Sequence, residues 1–421
     1  MSGADFLARA AALSQSLPAN AHLINLCNDR YLFALTFAAA LMRGAISLFP
    51  PNRLAATCHE IAKDYPDALC VTDSPVEGLT LPTQQITAPP AMETPAMPFI
   101  EPTRQAFIAF SSGSTGQPRP QPKRWGDLVG CARAAARRFG FGPQHSIIAT
   151  VPPQHMYGLE LSILLPFTLG ARVAAVRPFY PADIRAALTR SASPRLLVTT
   201  PVHLAACVES GLDWPAVEQV ISATAPLSDE LAQHVEAVFS TQVREIYGST
   251  ESGSIASRET CRDRLWHWYD SVRPHRDADG LSVSADFIHG RVALADVIEI
   301  HPDGRFLLLG RAADMIKVGG KRASLANLNA KLNAIEGVRD GVFIAPDPDG
   351  DPVGRLAVVA VAPGLDRESI IHGLAGHIDP VFYPRRILLV ARLPRNEAGK
   401  LPREALLQLL RHQAGNSSDA H

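Results

Sequence analysis

The chain has 421 residues, of which 47% are hydrophobic and 19% charged, with 40 Lys and Arg against 41 Asp and Glu. This composition excludes wholesale disorder, and nothing in a net charge of −1 favours nucleic acid or an anionic membrane as the main partner. The length exceeds one ordinary core and predicts two domains of unequal size.

The N-terminus, with Asp5 and Arg9 in an alanine-rich amphipathic stretch, lacks the basic flank and small-residue cleavage site of a secretory leader. A cytoplasmic location is expected. Leu32 to Met42, between Arg30 and Arg43, is about half as long as a transmembrane span and reads as a core helix, so no membrane insertion is expected. Cys27, Cys58, Cys70, Cys131, Cys207 and Cys261 form neither a CxxC pair nor a zinc-like cluster and are expected to be buried, reduced thiols. The Pro-rich stretch from Pro82 to Pro102 reads as an irregular surface connection.

From Phe107 to Ile298, short β-branched runs alternate with amphipathic stretches, which predicts a largely parallel sheet covered by helices. Strands are expected at Phe107–Phe110, Ser146–Val151, Ala171–Val176, Leu196–Thr200 and Gln219–Ser222. Leu128, Cys131, Ala135 and Phe139 mark one helical face, and Ser228 caps a helix running to Phe239. Beyond Gly310 a hairpin-like KVGGKR segment precedes a helix over Ser324–Ile335, strands near Val342 and over Leu356–Val361, a helix over Arg367–His377 and a strand over Ile387–Val390. The fold class is α/β, divided into a large domain over 1–310, a small α/β domain over 311–412 and a polar, disordered tail over 413–421.

Ser111 to Gly116, SSGSTG, follows an apolar strand and precedes Arg119, Lys123 and Arg124. Glycines let backbone N–H groups approach an anion, hydroxyls add donors and the cations offset phosphate charge. Taken alone, the segment fits a solvated Ser/Gly turn as well as a phosphate loop. It lacks the GK[ST] ending of a P-loop NTPase. Further along stand PQHMYG at Pro153–Gly158, SATAPL at Ser222–Leu227, YGSTESG at Tyr247–Gly253, then Asp296, GRAADMIKVGGKR at Gly310–Arg322 and PRNEAGK at Pro394–Lys400.

In this order the motifs resemble those of the adenylate-forming superfamily of acyl- and aryl-CoA synthetases, carrier-protein ligases, adenylation domains and luciferases. The resemblance implies a large adenylation domain and a small mobile C-terminal domain, with ATP and Mg2+ required. It implies that Ser111, Ser112, Gly113, Ser114, Thr115, Gly116 and Lys123 surround the ATP phosphates, with Arg119 as an alternative cation. Thr250 would contact the adenylate phosphate, Glu251 the magnesium, and Lys400 would bridge the carboxylate and the α-phosphate. Ala223, Thr224, Ala225, Tyr247, Gly248 and Ser249 would frame the adenine, while Asp296 and Arg311 would hold the ribose and Arg322 would add a nucleotide contact. His155 would gate an acid pocket that includes Tyr157, Gly158, Tyr180 and Ser249, with Phe179 nearby.

Only about 110 residues precede the phosphate loop, fewer than in typical CoA ligases. With LFPPNR at Leu48–Arg53 and the segment through Trp125, this resembles compact ligases that load aryl or acyl groups onto carrier proteins in aryl polyene and xanthomonadin pigment pathways. The expected substrates are a small aromatic acid such as 4-hydroxybenzoate, ATP and an acyl carrier protein. Arg133, Arg137 and Arg138 could dock that carrier or form a solvated helix face. Free CoA is the alternative acceptor, and an inert adenylation-fold binding protein is the alternative of another class.

Overall fold

Ser2 caps the first helix, α1 (Gly3–Ser16), its hydroxyl accepting from the Asp5 N–H at 3.1 Å. The computed structural model describes residues 1–91, 96–112, 118–278, 280–311, 315–318, 321–345, 356–395, 401 and 403–416. Strand β1 (His22–Asn25) leads to α2 (Arg30–Arg43), where Asp29 accepts from the Leu32 N–H at 2.9 Å and Gly44, at φ 85°, ends the helix. Being apolar around most of its circumference, α2 is a core helix. Then come β2 (Ile46–Phe49), α3 (Ala55–Asp64), β3 (Leu69–Thr72), β4 (Thr83–Gln85), β5 (Gln105–Ser112) and β6 (Pro118–Arg124). They form a sheet of order β4-β3-β1-β2-β5-β6, antiparallel only between β5 and β6. Phe49 joins sheet to helix, its ring 5.0 Å from Phe33 and 4.8 Å from Phe107. Each such buried Phe contributes about 1.5–3 kcal/mol.

The second sheet is built from β7 (Ser146–Ala149), β8 (Arg172–Val173), β9 (Arg195–Thr199), β10 (Gln219–Ser222), β11 (Gln242–Ser249), β12 (Gly253–Arg258) and β13 (His267–Trp268). Its order is β13-β12-β11-β10-β9-β7-β8, parallel from β8 to β11 and antiparallel beyond. Its helices are α4 (Trp125–Phe139), α5 (Met156–Leu159), α6 (Leu165–Leu169), α7 (Pro181–Arg190), α8 (Pro201–Glu209) and α9 (Asp229–Phe239). Leu128, Cys131, Ala135 and Phe139 all point into the core, and Ser228 accepts from the Leu231 N–H at 3.2 Å to cap α9. Where one sheet was expected from Phe107 onward there are two. The strand expected over Ala171–Val176 shrinks to the two residues of edge strand β8, and Val176 is exposed. A small three-stranded sheet follows, of β14 (Arg273–Asp277), β15 (Gly280–Ser284) and β16 (Val292–Ala293).

The chain divides into the compact units Met1–Ala293 and Leu294–His421, a boundary earlier than the expected 310/311. The second unit opens with the hairpin β17 (Asp296–Ile300) and β18 (Phe306–Arg311), followed by β19 (Met315–Val318), β20 (Lys321–Ser324) and α10 (Leu325–Asn333). At Gly310, φ is 121° and an added Cβ would lie 2.2 Å from Ser324 Oγ, so the hairpin seats directly on the start of α10. That contact explains why the hairpin groups with the smaller unit. KVGGKR does form a hairpin, with Lys317 opposite Arg322, although residues 319–320 lie outside the described set. Strands β21 (Asp340–Ile344), β22 (Ala357–Val361) and β23 (Arg386–Leu389) form the remaining sheet, packed with α11 (Arg367–Leu374) and α12 (Arg403–Asn416). Residues 413–416, expected in the disordered tail, are the last turn of α12; 417–421 lie outside the described residues.

All six cysteines are free, five of them buried and Cys261 half-buried. Among the described residues no helix is long and apolar enough to cross a membrane.

Candidate active site

Parallel pairing brings the carboxyl ends of β7, β9, β10 and β11 to one edge of the second sheet, with Ser222 level with both Thr199 and Glu245. In open α/β sheets that edge is where ligands bind. The segments following these strands are the ones that carry PQHMYG, SATAPL and YGSTESG.

The turn from β11 to β12 is held by its own hydroxyls. Ser249 N–H donates to Ser252 Oγ at 3.1 Å, and Ser252 N–H donates back to Ser249 Oγ at 3.2 Å. At Gly248 an added Cβ would lie 2.1 Å from the Gly253 carbonyl oxygen, so only glycine lets the two strands approach there. Gly248 and Ser249 are exposed, Thr250 and Glu251 half-buried. Tyr247 is buried, its ring 5.8 Å from Trp266. Behind the turn, Glu245 accepts from Arg258 Nε at 2.5 Å, Thr260 Oγ1 at 2.6 Å and Leu227 N–H at 3.0 Å, bracing the hairpin at its base.

Ala223 is buried, while Thr224 and Ala225 are exposed just beyond β10. Thr224 has φ 79°, a left-handed conformation that a β-branched residue adopts only under strain. Such strain gathers at functional sites.

Lys123 on β6 donates to the backbone carbonyl of Glu251, linking the first sheet to this turn. Burial pulls its ammonium pKa down, opposed by Cys131, Glu251 and Asp127. Arg119, opposite Ser111 in the β5–β6 register, is exposed. Ser111 and Ser112 end β5; Gly113, Ser114, Thr115 and Gly116 lie outside the described residues, as does Lys400.

His155 is exposed at the start of α5, its carbonyl accepting from Leu159 N–H at 2.8 Å. Gly158 is required because a Cβ would lie 2.0 Å from the Pro152 carbonyl oxygen. The Tyr157 hydroxyl donates to the carbonyl oxygens of Ile221 at 2.8 Å and Thr199 at 3.2 Å, which makes it a strut between the ends of β9 and β10. Tyr157→Phe is therefore expected to cost about 1–3 kcal/mol in urea unfolding and to leave acid preference unaltered. A changed acid preference at wild-type stability would restore Tyr157 to the pocket. Tyr180 is 66% exposed and lies on the surface with Phe179.

Asp296 and Arg311 face each other across β17 and β18 in the second unit, as Cα partners. Asp296 is half-buried. Arg322 lies on β20.

Glu160 and His203 went unnoticed in the sequence, and Arg30 was read only as the flank of an apolar run. Glu160 lies fully buried in a π-helical turn, Glu160–Leu164, and its Oε2 accepts from Ser254 Oγ at 2.7 Å and Ser254 N–H at 3.2 Å. Burial raises its pKa against the opposing hydrogen bonds of Ser254 and Cys131. Arg30 is buried and donates to Ser162 Oγ and to the carbonyls of Ala149 at 2.7 Å and Val151 at 3.1 Å, joining α2 to the end of β7. His203 Nδ1 lies 2.8 Å from Thr200 Oγ1 and 3.3 Å from Thr150 Oγ1, while its buried Nε2 has no partner. The available signal was a charge inside an apolar run: Glu160 within YGLELSILLP, Arg30 opening a core helix.

Residues 13–278 match the family model described as AMP-binding enzyme. The chain belongs to the AMP-binding enzyme family. Among relatives of this AMP-binding enzyme, the 4-coumarate–CoA ligase of Cereibacter sphaeroides is 30% identical over 302 residues, spanning 70% of each chain. The sulfoacetate–CoA ligase of Cupriavidus necator is 25% identical over 381 residues, or 80% of this chain and 74% of that one. The fold matches ATP-bound MatB of Rhodopseudomonas palustris with a TM-score of 0.82 at 19% identity, covering 96% and 92% of the two chains. It matches o-succinylbenzoate CoA synthetase of Bacillus subtilis, in complex with its acyl-adenylate intermediate, with a TM-score of 0.81 at 17% identity, covering 96% and 91%. The AMP-binding enzyme is an AMP-forming acid–thiol ligase.

Among the described residues no group of three metal-binding side chains occurs. A lone half-buried Glu251 beside the hydroxyls of Thr250 and Ser249 still suits Mg2+, which usually takes one or two protein carboxylates and completes its shell with water and substrate phosphates.

Proposed function

We propose that this ligase activates a small aromatic carboxylic acid of the 4-hydroxybenzoate kind with ATP and passes the acyl group to the phosphopantetheine thiol of an acyl carrier protein. The observation that supports its adenylation step is the convergence of the Tyr247–Gly253 turn, the strained Thr224 and the Lys123 link at one sheet edge, while the acid and the acceptor rest on the resemblance to compact carrier-protein ligases. The first step joins a carboxylate oxygen to the α-phosphorus and expels pyrophosphate. Like charges oppose that attack, so fixed positive charge and donors are its main requirement.

Thr250 would donate to the α-phosphate, and Arg119, rather than the half-buried Lys123 that is engaged by the Glu251 carbonyl, would meet the β- and γ-phosphates together with the loop of Ser111 to Gly116. Lys123 would act by holding the Glu251 carbonyl, and with it the carboxylate, in place. Magnesium bound at Glu251 would neutralise developing phosphate charge. Asp296 and Arg311 would hold the ribose, and Lys400 would bridge acid and α-phosphate. In the second step the thiol gives up its proton, its sulfur bonds to the acyl carbon and the acyl–phosphate C–O bond breaks to release AMP, a step that would follow withdrawal of Lys400 by movement of the smaller unit.

Free CoA is the second reading, supported by relatives that are named CoA ligases. The test is purified enzyme, ATP and a panel of aromatic acids with equimolar CoA and holo carrier protein, the thioester being read by mass spectrometry. Thioester on the carrier in preference to CoA is expected. Rapid CoA thioester with none on the carrier would overturn the acceptor assignment.

A further inference from the structure

Arg30, the first residue of α2, is 1% exposed and stands where elementary electrostatics disfavours a cation. A positive charge opposes the macrodipole at a helix N-terminus, and taking a guanidinium out of water is costly unless a counter-charge meets it. The acceptors that Arg30 meets are neutral oxygens, and its Nε–H has no hydrogen-bond partner. Burial and then Arg177 push its pKa down to about 10, with Asp29 opposing, so it stays charged at neutral pH. An apolar side chain of similar length would fill this place at lower cost. What arginine adds is its planar fork of donors.

That fork closes the base of a single turn, residues 152–158. Nη2 donates to the carbonyls of Ala149 at 2.7 Å and Val151 at 3.1 Å, on the limb that enters the turn from β7. Nη1 donates to Ser162 Oγ, whose own hydroxyl donates to the Gly158 carbonyl at 2.6 Å, on the limb that leaves it. Within the turn, His155 N–H donates to the Pro152 carbonyl at 3.4 Å, the same carbonyl that leaves no room for a Cβ at Gly158. Ser162 belongs to the π-helical turn Glu160–Leu164, a geometry that frequently marks functional sites. The turn also abuts the nucleotide segment, since a Cβ placed on Gly253 would lie 3.7 Å from Met156 Cε.

We propose that Arg30 is a positioning residue for the carboxylic acid substrate, its guanidinium clamping both limbs of turn 152–158 so that His155 is held at the acid. This rests on the reading of PQHMYG as part of the acid pocket. The nucleotide turn is braced by Ser249, Ser252 and Glu245 without Arg30, so effects on the acid and on ATP should separate.

The experiment measures acid-dependent ATP–pyrophosphate exchange for the wild type, Arg30→Lys, Ser162→Ala and His155→Ala, using the acid that the wild type activates fastest from a panel of aromatic and aliphatic carboxylic acids. Arg30→Lys keeps the charge and loses the fork. Ser162→Ala removes the relay to Gly158 and leaves the bonds to Ala149 and Val151. KM for the acid should rise by about tenfold in Arg30→Lys and about threefold in Ser162→Ala, with KM for ATP within about twofold of wild type. His155→Ala should raise KM for the acid as well. If only His155→Ala raises it, the role of Arg30 is overturned and the acid pocket stands. A lower kcat with neither KM altered also overturns that role, because a smaller folded fraction produces the same result. So does a parallel rise in both KM values, which would mean that the whole site is disturbed. If none of the three variants alters KM for the acid, turn 152–158 lies outside the acid pocket and both readings fall.

Discussion

Lys400→Ala is expected to lower acid-dependent ATP–pyrophosphate exchange by about 10²–10³-fold, the usual consequence of deleting one group that stabilises charge developing in a transition state. Adenylation brings a carboxylate against a triphosphate, and an ammonium on a long stem can meet an oxygen of each. Lys123 is poorly suited to substitute for it, being half-buried and held by the Glu251 carbonyl. Lys400→Arg keeps the charge but changes the donor geometry, and should recover part of the exchange. Thioester formation from a supplied synthetic acyl-adenylate should survive Lys400→Ala, because by then the phosphorus chemistry is complete. A loss of less than about tenfold in exchange would remove Lys400 from the transition state.

Glu160→Ala is expected to destabilise the fold by about 2–5 kcal/mol, since it leaves a cavity and two unmatched Ser254 donors in a buried site. The effect should extend to activity, because Ser254 lies one residue beyond Gly253 and stands opposite Gly248 in the β11–β12 pairing. Glu160→Gln keeps an acceptor for Ser254 and carries no charge, so it should fold normally. The two differ in pH dependence. Burial raises the folded-state pKa above the ordinary value of 4.5, so the folded chain holds this proton more tightly than the unfolded chain does. The resulting contribution is complete below that ordinary value and is lost as pH rises through the raised one. Urea midpoints measured across this range should therefore show a wild-type decline that Glu160→Gln lacks. Equal slopes for the two proteins would mean that Glu160 is already ionised when folded.

The sequence offered the site as an ordered set of motifs. Asp296 and Arg311 come from separate motifs, and their backbones are Cα partners in one hairpin. Gly158 and Gly248 lie within motifs, and each faces a carbonyl oxygen that leaves no room for a Cβ. The resemblance implied Lys123 at the phosphates, with Arg119 as the alternative cation, and the sequence offered no signal for a backbone partner. The actual partner of Lys123 is a carbonyl 128 residues away.

Local periodicity and capping chemistry determined by themselves the buried face of α4, the cap of α9 and the core character of α2, since each depends on residues within a few positions of one another. The order of the motifs likewise determined the family and the class of reaction. Only the tertiary structure decided that there are two sheets, that the Asp296 hairpin groups with the smaller unit, and that Glu160, Arg30 and Lys123 are tied to Ser254, to the end of β7 and to the Glu251 carbonyl. Four-residue strands such as β1 and β2 carry too few alternations to announce a sheet. The partner of a buried charge depends on strand order and register, which bring together segments far apart in the chain and which no window of neighbouring residues contains.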